Sequence, residues 1–228
     1  MKRALLATAA VAATAALLVP LVATADHKPG HKPKEPNPDL SIKAEPDIQR
    51  WPKTVTISGR LRGQDRANKT IELRANPHPF SGPFGRVATT TTDANGDYTF
   101  THRPDEHTRY RVVADLNPDE TSGEVEVKSR MKVTRRVSDR TPSDGETITF
   151  SGRLGPAHPG HEVRIQRRRP SGTWKTMTST PAGPAGPTNH SPYSTEVRIN
   201  RDGVWRAKVR ADENHRGNKS RRIRINVQ

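Results

Sequence analysis

An eight-residue stretch that occurs twice constrains this chain more than any other feature. Thr54–Leu61 reads TVTISGRL and Thr147–Leu154 reads TITFSGRL, identical at six positions. The two differences, Val55 against Ile148 and Ile57 against Phe150, exchange one apolar side chain for another. Each copy alternates hydroxyl and apolar residues and then stops at Ser-Gly, the pattern of a half-buried β-strand with a terminating signal. Recurrence after roughly 90 residues points to a duplicated unit, because self-similarity at a long period marks repeated architecture.

The remaining apolar segments fall into register around this pair. In the first unit, Leu40–Ile42, Ile71–Leu73, Val87–Thr92, Tyr98–Thr101, Arg109–Ala114 and Val125–Val127 read as short strands. Asn95-Gly96, inside the turn Asp93–Asp97, is the strongest hairpin signal of the chain. In the second unit, Met131–Val133, Val163–Ile165, Tyr193–Ile199, Val204–Val209 and Ile223–Val227 take the matching places. The turn Asp202-Gly203 is expected to join Tyr193–Ile199 and Val204–Val209 as a hairpin. Tyr98 to Tyr110 and Tyr193 to Trp205 share one spacing. No segment after residue 25 keeps a helical period. Short strands every 8–12 residues or so, with Gly and Pro between them, predict an all-β antiparallel sandwich. Its core aromatics are expected to be Tyr98, Phe100 and Tyr110 in one unit, and Phe150, Tyr193 and Trp205 in the other.

The chain start carries a different signature. Lys2 and Arg3 precede the apolar run Ala4–Val22, and Ala23-Thr24-Ala25 fits a small-x-small cleavage pattern. Residues 1–25 are therefore expected to be a secretory signal, leaving a mature chain from Asp26 with no transmembrane helix. An uncleaved anchor is the alternative, disfavoured by the Ala content and the cleavage pattern. Residues 26–39, DHKPGHKPKEPNPD, read as an extended Pro/Lys-rich tether. His27 and His31 would share no face there, so they read as a free tail and not as metal ligands. The expected organisation is thus a signal over 1–25, a tether over 26–39, one sandwich over 40–129 and a second over 130–228. The chain has no cysteine, so burial alone must hold these cores, and thiol nucleophiles, Cys–zinc sites and iron–sulfur clusters are excluded.

Charge divides the two units. Residues 26–129 carry 16 Lys and Arg against 16 Asp and Glu, whereas 130–228 carry 21 against 8. Most of the net charge of +15 therefore sits in the second unit. Such asymmetry bears on partners and not on fold. Arg167, Arg168 and Arg169 end a strand beside Lys175, and Arg206, Lys208 and Arg210 alternate along another. Arg221, Arg222 and Arg224 belong to the last strand. Together these ten side chains are the candidate contact for an anionic polymer bearing phosphate, sulfate or carboxylate groups. The competing reading is compositional, with arginine merely decorating solvated faces. Sequence-specific nucleic-acid binding is disfavoured, because aromatics do not interleave the arginines.

The strand ending in Ser-Gly-Arg-Leu, the Ile-x-Leu or Val-x-Ile strand, T-D-x-N-G-x-Y-x-F over Thr92–Phe100 and T-R-Y-R-V over Thr108–Val112 together resemble bacterial immunoglobulin-like domains. Fibronectin-type-III-like and carboxypeptidase-regulatory-like repeats of exported bacterial proteins are similar. The resemblance covers 40–228 and departs from the pattern where Asn189–Pro192, instead of Asn-Gly, precedes Tyr193. It implies two tandem immunoglobulin-like sandwiches with adhesive, spacer or accessory roles. It brings no catalytic residue and no cofactor.

The sequence carries no complete motif for other chemistry. There is no Gly-x-Ser-x-Gly elbow, phosphate loop or dinucleotide fingerprint. His161-Glu162 opens like a zinc-protease motif, but Ile165 and Gln166 stand where the second His would be. Asp93, Asn95 and Asp97 have calcium-like spacing, yet Gly96 is fourth where a calcium loop wants its glycine sixth. Trp51, Trp174 and Trp205 could stack on sugars, with Trp205 better placed as core. The sequence therefore assigns no catalytic, cofactor or metal residues. Its leading expectation is a non-enzymatic, exported, cell-surface or envelope protein in which the first unit is a spacer. The basic second unit would then attach to an anionic polymer or surface protein. A loop-based protein- or carbohydrate-binding module, using Asn76–Gly85 and Pro181–Pro192, is the alternative, and a pure spacer the third reading.

Overall fold

The computed structural model describes residues 39–64 and 66–228. The expected signal, His27, His31 and all of the expected tether except Asp39 lie outside the described residues.

Among the described residues the chain is all-β. Its first half forms β1 (Lys43–Glu45), β2 (Ile48–Arg50), β3 (Val55–Arg60), β4 (Thr70–Pro77), β5 (Gly85–Thr91), β6 (Asp97–His102), β7 (Thr108–Ala114), β8 (Glu120–Thr121) and β9 (Val125–Arg130). Its second half forms β10 (Lys132–Val133), β11 (Arg136–Val137), β12 (Glu146–Gly155), β13 (Glu162–Arg168), β14 (Trp174–Pro181), β15 (Ser191–Ile199), β16 (Gly203–Val209), β17 (Asn218–Lys219) and β18 (Ile223–Ile225).

The repeated stretch becomes β3 and β12, and the two halves pair their strands alike. One sheet of each half sets β3 against β6, or β12 against β15. The other sets β4 between β5 and β7, or β13 between β14 and β16. Both β4 and β13 carry a bulge against their outer neighbour, at Leu73/Arg74 and at Ile165/Gln166. Even a side-chain bond recurs: Ser122 Oγ accepts from the Val112 amide as Ser220 Oγ accepts from that of Ala207, each at 3.0 Å.

Strand alternation sends one face of each sheet inward. Val55, Ile57, Tyr98 and Phe100 from one sheet meet Ile71, Leu73, Tyr110 and Val112 from the other to form the first core. Ile148, Phe150, Tyr193 and Val197 meet Val163, Ile165, Trp205 and Ala207 in the second. All six expected core aromatics are buried. Two sheets enclosing each core are compatible with a β-sandwich.

Two expected hairpins are not hairpins. Asp93–Asp97 does form the tight turn, with Gly96 at φ +85° and Asp93 Oδ1 accepting from the amides of Asn95 and Asp97, each at 2.8 Å. The strands it joins belong to different sheets, however: β5 pairs with β4, and β6 with β3. Asp202-Gly203 likewise leads from β15, which pairs with β12, to β16, which pairs with β13. The local turn chemistry is the same for a hairpin and for a sheet-to-sheet corner, and burial of both flanking strands against one core selects the corner. Leu40 shifts as well: it makes an isolated bridge with Leu61 ahead of β1 instead of lying within a strand.

Candidate functional site

The sheet built on β13, β14, β16 and β18 carries or flanks all ten expected cations. On β16 the buried residues Trp205, Ala207 and Val209 face the core, so Arg206 and Lys208 stand on the outer side. Cross-strand partners share a face. The register sets Arg164 opposite Lys208, Gln166 opposite Arg206 and Arg224 opposite Val204, placing all of them outward. Arg168 lies opposite Trp174, and Arg222 reaches over that same ring, 5.7 Å from its centroid.

Arg206 is not the free contact its alternation suggests. It is 8% exposed, with its guanidinium 3.8 Å from the centroid of the Trp174 ring. Its Nε donates to Gln166 Oε1 at 3.0 Å, and Gln166 Nε2 donates to Thr176 Oγ1 at 3.1 Å. Burial, then the neighbouring Arg222, lowers its pKa. Arg206 thus braces the face, and it occupies the Trp174 surface that a sugar would need. Trp205 is core, and Trp51 is 4% exposed, so the three tryptophans make no flat platform.

Arg167 and Lys175 are mutual partners, and Arg167 also lies opposite the inward-facing Trp205. They therefore sit on the other side from Arg206, at the sheet's end. There a cleft of about 390 Å³ gathers Arg167, Arg168, Arg169, Arg201 and Arg224. Its one carboxylate, Asp202, accepts the Val227 amide at 2.7 Å. Burial, followed by the charge of Arg201, lowers the Arg167 pKa. Arg210 falls just past β16, in a shallow hollow with Lys208, Arg130 and Lys219.

Arg221 belongs to a larger groove that the sequence did not reveal. This groove of about 730 Å³ brings Arg50, Arg130, Lys132, Arg135, Lys219 and Arg221 together with no acidic side chain in its lining. Arg135 fixes one wall by donating to the carbonyls of Arg221 (3.1 Å) and Arg222 (2.6 Å). Burial, then Arg140, lowers its pKa. Arg130 Nε is buried without a hydrogen-bond partner. These cations come from positions 50 to 221, and no local motif announces them.

The two halves treat their charges differently. Among the described residues, Lys43, Arg60, Arg74, Arg86 and Arg109 in the first half pair with carboxylates. In the second half Arg164, on Glu162 at 2.6 Å, is the one Arg or Lys so paired. The calcium-like trio is likewise engaged within the fold. Asp93 caps its turn, and Asp97 takes two bonds from Arg60, at 2.6 and 2.8 Å, which lowers the Asp97 pKa.

The alternative binding loops close on themselves. Asn76 Nδ2 donates to the carbonyls of Phe80 and Gly82, and Arg109 and Arg111 lie over the Phe80 and Phe84 rings at 4.2 and 4.3 Å. In the other loop the Gly183 and Gly186 amides donate to the carbonyls of Pro192 and His190.

Among the described residues, no helix is long and apolar enough to cross a membrane. No protein-family model matches the chain. A search of curated proteins finds no match either.

Proposed function

We propose that the chain is a non-enzymatic, exported envelope protein made of two tandem immunoglobulin-like sandwiches. Its second sandwich attaches to an anionic polymer of phosphate, sulfate or carboxylate groups, and its first acts as a spacer. The observation that carries this reading is the uneven ion pairing. Among the described residues, five cations of the first half pair with carboxylates, in a stretch whose acidic residues equal its basic ones, whereas the second half leaves all but Arg164 without a carboxylate. Unpaired like charges held on rigid strands create a field that a polyanion relieves by releasing its counterions. The arginine cleft at the sheet end and the groove around Arg135 are where several cations can engage one chain at once. Planar guanidinium groups suit bidentate contact with phosphate or carboxylate.

The test uses the whole chain and a poly(glycerol phosphate). The double variant R168E/R224E is expected to weaken binding about tenfold or more, taking roughly 1 kcal/mol for each lost phosphate contact. K43E, in the paired first half, is expected to leave binding unchanged. Equal losses in both variants would refute the assignment to the second half.

The loop-based reading rests on Phe80 and Phe84, two aromatics held under arginines in one loop. It predicts binding that varies little with salt.

A further inference from the structure

Four loop residues of the second half converge in a way that neither the polymer reading nor the core requires. His158 and His161 sit in the loop between β12 and β13, and Asp212 and His215 in the loop after β16. His158 Nε2 is 3.1 Å from His215 Nδ1 and 3.2 Å from Asp212 Oδ2. His215 Nδ1 is 3.5 Å from Asp212 Oδ1, and His161 Nδ1 is 3.8 Å from Asp212 Oδ2.

The partners of the outer ring nitrogens determine what these inner atoms are. His158 Nδ1 lies 2.9 Å from the Pro156 carbonyl, His215 Nε2 lies 2.6 Å from that of Asp105, and His161 Nε2 lies 3.2 Å from that of Arg210. A carbonyl oxygen only accepts, so each outer nitrogen bears the proton of its neutral ring and donates it. In the neutral rings the inner nitrogens, His158 Nε2, His215 Nδ1 and His161 Nδ1, then offer their lone pairs. They gather about a carboxylate whose Oδ1 is already oriented by the amides of Asn214 (2.9 Å) and His215 (2.7 Å), which leaves Oδ2 toward the imidazoles. Three imidazoles, each anchored through its far nitrogen to a backbone carbonyl, reproduce the outer-shell arrangement that orients histidine ligands on a metal.

We propose that His158, Asp212 and His215, completed by His161, form a binding site for a divalent transition metal, of which Zn²⁺ fits best. With Zn–N and Zn–O bonds near 2.0–2.1 Å, neighbouring ligands of a tetrahedral site stand about 3.3 Å apart. The 3.1 and 3.2 Å separations match that edge; His161 Nδ1, 3.8 Å from Asp212 Oδ2, stands outside the tight trio of His158, Asp212 and His215 and would swing in to complete it. Imidazole and carboxylate donors without thiolate suit Zn²⁺ and exclude a calcium-type oxygen cage. The site also touches the first half. Asp105 supplies the carbonyl behind His215, the His107 amide donates to the Asn214 carbonyl at 2.9 Å, and Asn214 Nδ2 donates to Glu106 Oε2 at 3.2 Å. A bound ion would therefore stiffen the loop through which the two halves meet, a structural role.

The experiment titrates the metal-stripped full chain with Zn²⁺ by calorimetry, and with Co²⁺ by visible absorption. The background variant H27A/H31A removes the tail histidines as competing ligands. Expected are one equivalent of Zn²⁺, tetrahedral Co²⁺ bands and a raised Tm, all retained in H27A/H31A. D212N and H161A should each weaken affinity about tenfold or more; H161A removes a partly exposed ring and leaves the core untouched. If H27A/H31A abolishes binding, or if D212N and H161A both bind like the parent, the proposal is overturned, and the cluster is held by a shared proton.

Discussion

The hydroxyl of Tyr193 donates to the Thr134 carbonyl at 2.5 Å while its ring lies directly over Gly152. A Cβ at Gly152 would meet the Thr134 carbonyl oxygen first and then that ring, at 2.7 Å. Tyr98 makes the same bond to the Ser41 carbonyl over Gly59. Gly59 and Gly152 are the glycines of the repeated Ser-Gly; the strands do not stop there as the pattern predicts but run on to Arg60 and Gly155, and the glycines serve as the floor of a tyrosine seat. G152A is expected to destabilise by about 1–3 kcal/mol through overpacking. Y193F should cost about 0.5–1.5 kcal/mol by removing that hydrogen bond. Urea unfolding measures both. The double variant should lose less than the sum, because the two residues are in contact.

The three tyrosines predict an alkaline limit. Burial raises the pKa of Tyr98, Tyr110 and Tyr193 far above the ordinary 10.0. A folded-state pKa above the unfolded one stabilises the fold fully below pH 10, and that stability drains away as pH rises further. Tyrosinate absorbance should therefore appear together with loss of the β-sheet circular dichroism signal, in one step above pH 10. Ionisation of even one tyrosine in the still-folded protein would contradict the burial of all three.

Trp51 ties the halves together. It follows β2, yet its ring meets His190 edge-on at 4.9 Å and covers Gly155, while Nε1 donates to Asp105 at 2.9 Å. W51A is expected to cost about 3–5 kcal/mol and to split thermal unfolding into two transitions, one for each core. A single transition at unchanged Tm in calorimetry would show that Trp51 does not couple the halves.

What the sequence reveals here is the material that repeats. Most strand positions, the core aromatics and the charge division were legible because each is written in local alternation or in composition; β14, whose Thr and Ser residues show no apolar alternation, and the short β2, β8, β11 and β17 were not. The corners at Asn95-Gly96 and Asp202-Gly203 were not, since the turn residues of a hairpin and of a sheet change are the same. Of the basic face, Arg168, Lys208 and Arg224 stand outward as alternation predicts, but Arg206 needed the Trp174 ring to explain its burial. The groove around Arg135 assembles cations from distant strands. The lone-pair cluster pairs His-x-x-His at 158 and 161 with Asp-x-x-His at 212 and 215, about 50 residues away, and only the β13–β16 pairing brings them together.

The most direct test of the polymer reading is the salt dependence of binding. The full chain would be titrated with a poly(glycerol phosphate) from roughly 50 to 200 mM salt, where release of several counterions changes affinity by orders of magnitude. A steep linear fall of log K with log salt is expected, made shallower by R168E/R224E and left unchanged by K43E. No binding at low salt, or binding with a flat salt dependence, would contradict it and leave the arginines as composition alone.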